Sequence, residues 1–116
     1  MNELFEINIK SDGQTVDQAL GEFLIELDRL NFCDAKIMKI ITGYGSHGRG
    51  GEIKKALLRL LCNLKRDKKI ADFYPCEKLS KEILSTLCAK YPSIILDYEI
   101  SNYNSGVVVV ELVHAS

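Results

Sequence analysis

Five of the chain's eight glycines fall in one short stretch, Thr42-Gly43-Tyr44-Gly45-Ser46-His47-Gly48-Arg49-Gly50-Gly51. An apolar run, Ile37-Met38-Lys39-Ile40-Ile41, precedes it, and a helix-like segment over residues 52–65 follows. A strand that feeds a glycine-rich turn and then a helix commits the middle of the chain to a layered αβ unit, with the helix packed back on a sheet. Glycines this dense let the backbone take positive φ and approach a ligand closely. The unpaired N–H groups that open a helix carry partial positive charge and attract anions, phosphate above all.

The flanking segments fit the same architecture. Residues 4–10 alternate Phe5, Ile7 and Ile9 with Glu6, Asn8 and Lys10, the period of a half-buried strand. Residues 11–14 read as a turn. Thr15 with Gln18 three residues on has capping-box spacing, and Val16, Ala19, Leu20, Phe23, Leu24, Leu27 and Leu30 then recur at helical spacing. Residues 36–41 are apolar enough for a central strand. In the second helix Ile53, Ala56, Leu57, Leu60, Leu61 and Leu64 form the buried stripe, which leaves Lys54, Lys55, Arg59, Lys65 and Arg66 to water or phosphate. Residues 70–74 form a short strand stopped by Pro75. Ser80 caps a third helix that runs to Lys90, with Ile83, Leu84, Leu87 and Cys88 on one face. Residues 94–100 read as extended and 102–106 as a turn. The β-branched run from Val107 to Val113 is a buried strand. The order βαβαβ(α)β argues a single-domain α/β or α+β two-layer sandwich, residues 1–116, with a mixed sheet and helices on one face.

Charge separates the chain into zones. Residues 1–35 hold eight acids and two bases, residues 36–69 ten bases and two acids, and residues 70–116 six acids and three bases; the whole chain carries only -1. A basic middle in an otherwise acidic chain binds polyanions locally. The apolar runs are too short to span a bilayer, and the acidic start lacks the features of a signal peptide, which points to a cytosolic protein and no membrane partner. Cys33, Cys62, Cys76 and Cys88 contain no C-x-x-C pair and His47 and His114 lie far apart. The cysteines therefore read as plain thiols rather than zinc ligands.

Gly43-Tyr44-Gly45-Ser46-His47-Gly48 also fits the G-x-G-x-x-G fingerprint of dinucleotide sites, with Asp72 as its acid. The helix expected only after Gly51 makes the loop long for a pyrophosphate turn, however, and no G-K-[ST] follows for a Walker A loop.

The strand before Thr15-Val16-Asp17-Gln18-Ala19, the loop Ile40-Ile41-Thr42-Gly43-Tyr44-Gly45 and the final Gly106-Val107-Val108-Val109-Val110-Glu111-Leu112 together resemble the small MutS-related (Smr) domain, with Gly48-Arg49-Gly50-Gly51 similar to the extended loop of one bacterial branch. The resemblance covers nearly the whole chain. It implies a fold like the C-terminal domain of translation initiation factor 3, DNA or RNA as partner, and in several relatives endonuclease activity. It also marks residues from about 75 to 105 as an insert. The family's L-D-L-H strand is represented by Ile7-Asn8-Ile9-Lys10, without Asp or His, so binding is better supported than cleavage. Lys10 and His47 are the catalytic candidates, and a divalent metal belongs to the reading only for a nuclease. The nucleic-acid-binding set is Lys10, Thr42, Gly43, Tyr44, Gly45, Ser46, His47, Gly48, Arg49, Gly50, Gly51, Lys54 and Lys55. Arg49 offers a two-pronged phosphate contact, Tyr44 a stacking surface, and Lys54 and Lys55, placed in the first turn, a reason to expect a bound anion. The alternatives are a protein–protein interaction module, whose acidic and basic helices pair between copies of the chain in a homo-oligomer, and a nucleotide-binding domain.

Overall fold

Thr15 starts the first helix as its spacing implies: its hydroxyl accepts from the Gln18 N–H at 3.1 Å, and the Gln18 side chain accepts from the Thr15 N–H at 2.9 Å. The structure, a computed structural model, describes residues 3–9, 15–30, 35–43 and 49–113. Its elements are β1 (Leu4–Asn8), α1 (Val16–Leu30), β2 (Ile37–Ile41), α2 (Arg49–Arg66), β3 (Ile70–Pro75), α3 (Lys81–Lys90), α4 (Tyr98–Ser101) and β4 (Val107–Leu112), with 3-10 segments at Cys76–Lys78 and Pro92–Leu96. This is a compact α+β fold around a four-stranded mixed sheet in the order β1-β2-β4-β3. β1 and β2 are parallel, and β4 runs against both β2 and β3. The last strand in the chain therefore lies in the interior of the sheet, which is why all six of its residues are buried.

Alternation along the strands feeds two cores. Met38, Ile40, Val108, Val110 and Leu112 meet Phe23 and Leu27 of α1 and Ile53, Leu57 and Leu61 of α2. The two long helices thus share one face, as their periodicity implies. Ile37, Val107 and Val109 point the other way, against Cys76, Leu79, Leu87, Ile94 and Ile100. The segment read as an insert is therefore the cover of the second face, so helices are not confined to one face as expected.

Residues 94–100 are not extended. Pro92 fixes the first position of a 3-10 segment, and the Asp97 carboxylate then caps α4 by accepting from the Ile100 N–H at 3.0 Å. Those two local signals outweigh the apolar composition of the run. Ser80 caps α3, accepting from the Ile83 N–H at 3.1 Å.

Two buried charges sit on the second face. Lys39, 3% exposed, reaches Glu99 at 2.6 Å, Asp97 at 3.0 Å and Glu6 at 3.2 Å. Burial works against its charge, but the three carboxylates outweigh it and hold its pKa above the usual lysine value. Glu111, 5% exposed, accepts from the Tyr74 and Tyr91 hydroxyls, each at 2.7 Å, and from Lys90 at 3.1 Å. Burial raises its pKa and these donors lower it further, leaving the carboxyl below its ordinary value. The same burial, with Glu111 alongside, pushes both tyrosines up.

Candidate nucleic-acid interface

β1, β2 and β3 run in the same direction, so their C-terminal ends share one edge with the start of β4 and the start of α2. Thr42 and Gly43 emerge there from β2. The Thr42 and Gly43 N–H groups both donate to the Gly106 carbonyl, at 2.8 and 3.3 Å, and the buried Thr42 hydroxyl lies 3.3 Å from that oxygen. Gly43 has φ 78°, a left-handed conformation that glycine takes without strain. At Gly106 a Cβ would lie 3.2 Å from the Gly43 carbonyl carbon and 3.2 Å from the Asn104 side-chain oxygen. The bare backbone of Gly106 is what lets the loop root against β4.

Lys10, Tyr44, Gly45, Ser46, His47 and Gly48 lie outside the described residues. Arg49 is the first residue of α2, so the helix begins before Gly51 and not after it. Gly50 and Gly51 occupy the first turn, and a Cβ at Gly51 would meet nothing within 4 Å. Lys54 and Lys55 consequently fall in the second turn, where the helix dipole is weaker and the expected first-turn conflict is removed. Lys54 is held within the protein, paired with Glu77 and donating to the Ser105 carbonyl at 2.8 Å. It ties α2 to the approach of β4.

Lys55 and Arg59 are exposed and have no partner among the described residues. With Cys62 and Arg66, also exposed, they follow helical spacing along the outer side of α2. Lys65 pairs with Asp72 at 2.9 Å and Arg66 with Asp67 at 3.5 Å. The sequence reading put Arg59 on the solvent side without counting it as a contact, although its spacing from Lys55 was the signal that joins them.

The early start of α2 removes one objection to the dinucleotide reading, because the helix does follow the third glycine of the fingerprint. Two others replace it. β4 separates β2 from β3, so the strands on either side of the loop and its helix do not pair with each other. Asp72 pairs across β4 at Glu111, level with Ile37 at the far end of β2 from Thr42, and it is engaged by Lys65.

Among the described residues no group of three His, Cys, Asp or Glu side chains is placed to hold a metal ion. Cys76, next to the loop edge of β3, is buried, and burial with Glu77 and Asp97 nearby pushes its thiol up to about 12, far from the thiolate a nucleophile needs. Among the described residues no helix is long and apolar enough to cross a membrane. Comparison with protein-family models, curated proteins and solved structures finds no match.

Proposed function

We propose that the chain is an Smr-like domain of the cytosol that binds DNA or RNA along the 42–51 loop and the outer side of α2. The observation that carries the reading is the basic ridge of Lys55 and Arg59, without partners among the described residues, which continues from a glycine-rich helix start at the C-terminal edge of the sheet. Cations four residues apart on a helix, about 6 Å along its axis, can each meet a phosphate of the closely spaced charges along a nucleic-acid backbone. Lys54 belongs to the scaffold in this reading and Arg59 takes its place among the contacts. The fold implied by the resemblance, that of the C-terminal domain of translation initiation factor 3, is compatible with a four-stranded mixed sheet carrying two long helices together on one face. The proposal is for binding and assigns no residue to cleavage.

The test is fluorescence anisotropy with labelled single-stranded, duplex and branched DNA and RNA over a salt series. Affinity is expected to fall linearly in log salt, and Lys55→Glu with Arg59→Glu is expected to reduce that slope by about 2, one for each lost phosphate contact. A double variant that binds with unchanged slope sinks the proposed ridge. Absence of binding to every substrate sinks the nucleic-acid reading itself.

A further inference from the structure

The opposite edge of the sheet carries a second surface, independent of the loop. Among the described residues β1 has only β2 beside it. The Glu3 carbonyl accepts from the Ile37 N–H at 2.9 Å and the Ile9 N–H donates to the Ile41 carbonyl at 2.9 Å. Backbone direction alternates along a strand, so the odd-numbered residues bond β2, while Leu4 and Glu6 turn their N–H and C=O groups outward. These groups have no partner among the described residues. An edge of this kind is a template for another strand.

What flanks the edge decides what it takes. On the α1 side a groove of about 380 Å³ has Phe5, Ile7 and Ile25 as its apolar surface and Glu22 and Glu26 as its charges. Ile25 is 68% exposed although α1 is otherwise well buried on its sheet side. Arg29 stands at the margin, bonded to Glu26 at 2.6 Å and 5.6 Å over the Phe5 ring. On the other side the Glu3 carboxylate accepts from the Ser93 N–H and hydroxyl at 2.8 and 2.6 Å, which pins the Pro92–Leu96 segment beside the start of β1. Leu96 and Tyr98, 89% and 80% exposed, bracket Asp97, whose carboxylate shares Lys39 with Glu6. Both faces of a strand laid against β1 would therefore find uncovered apolar side chains, and Glu22, which has no cation among the described residues, calls for one beside the Glu26–Arg29 pair. β3, the other edge, is broken by a register shift between Ile70 and Asp72 and ends in Pro75, both of which blunt strand addition.

We propose that β1 captures an extended partner segment of mixed apolar and basic residues by strand addition. The outward backbone groups of Leu4 and Glu6 supply affinity, and the acidic groove selects basic side chains. A second copy of β1 is disfavoured as the occupant, because it would bring the carboxylates of a second groove, Glu22 above all, toward those of the first.

The experiment is a titration of the full chain, followed by amide NMR, with a capped hexapeptide of alternating lysine and valine and with the same peptide N-methylated at alternate residues. The expected result is slowed exchange at the Leu4 and Glu6 amides, binding at least about tenfold weaker for the N-methylated peptide, and a further loss in Glu22→Gln with Glu26→Gln. Ile25→Ser, at an exposed position that leaves the fold intact, is expected to weaken binding as well. Equal binding of the N-methylated peptide reduces the effect to charge alone and overturns strand addition. Shifts that map to α2, or no binding at millimolar peptide, overturn it too. Protection of the same amides that rises with protein concentration without peptide assigns the edge to self-association instead.

Discussion

The two faces of the sheet use the same strands and opposite chemistry. On the α1–α2 face the contacts are apolar throughout, with Phe23, Leu57 and Leu61 fully buried between helix and sheet. On the other face Ile94, Ile100 and Leu87 share the space with Lys39 and Glu111, and each of these charges is satisfied by residues far away in sequence. The first face needs only shape and area. The second depends on directional pairs, and a buried charge that loses its partners is costly where a lost methyl group is merely a gap. The contrast teaches that a sheet can be closed on one side by long amphipathic helices and on the other by short turns stapled down through ions.

The largest effect that would break the comparison comes from the apolar face. Phe23→Ala is expected to cost about 3–5 kcal/mol in urea unfolding, with no dependence on pH between 5 and 9. Next comes Lys39→Met, which leaves Asp97 short of its cation; the expected loss is about 3 kcal/mol, at the low end for a broken buried pair because Glu6 and Glu99 reach water. Its sign with pH is distinctive. A lysine whose folded pKa is raised contributes fully below its unfolded value of 10.5 and loses that contribution as pH rises through the folded value. Wild type should therefore weaken above about pH 10.5, and the variant should lack this lysine's part of that decline.

The smallest of the three is Glu111→Gln, at about 1–2 kcal/mol near neutral pH. The folded carboxyl lies below its ordinary 4.5, so its contribution is present above that value and lost as pH falls through the folded one. The gap between wild type and variant should then close in acid, measured by unfolding at a series of pH values. A Phe23→Ala cost that itself varied with pH between 5 and 9, or a Lys39→Met protein with none of its expected loss, would erase the distinction between the faces.

The apolar face was legible in the sequence because its information is local. Thr15 and Gln18 announce α1, and the stripes from Phe23 to Leu30 and from Ile53 to Leu61 repeat at a period that any window reveals. The second face was not. Lys39 looks like an interruption in an apolar strand, and nothing near it in the chain points to Asp97 and Glu99. Residues 94–100 carry the composition of a strand, and only Pro92 and Asp97, read as helix-start signals, tell otherwise. At the candidate interface the glycine run was visible, but its end was misplaced: Gly50 and Gly51 argued against helix, while the structure carries α2 through both. The role of Lys54 turned on Glu77 and Ser105, two partners that no spacing rule connects to it.

The position of β4 has a consequence for how the protein is made. Without it β3 has no strand to bond, since β1 and β2 lie on its far side. A chain emerging from the ribosome holds the β1-α1-β2 unit early, yet the hydrogen-bonded sheet is not complete until residue 112 has cleared the exit. During that interval the inner edge of β2 stands as open as the outer edge of β1, and a segment that β4 keeps out of the finished sheet can pair with it. Synthesis of residues 42–112 thus sets how long that inner edge stays open.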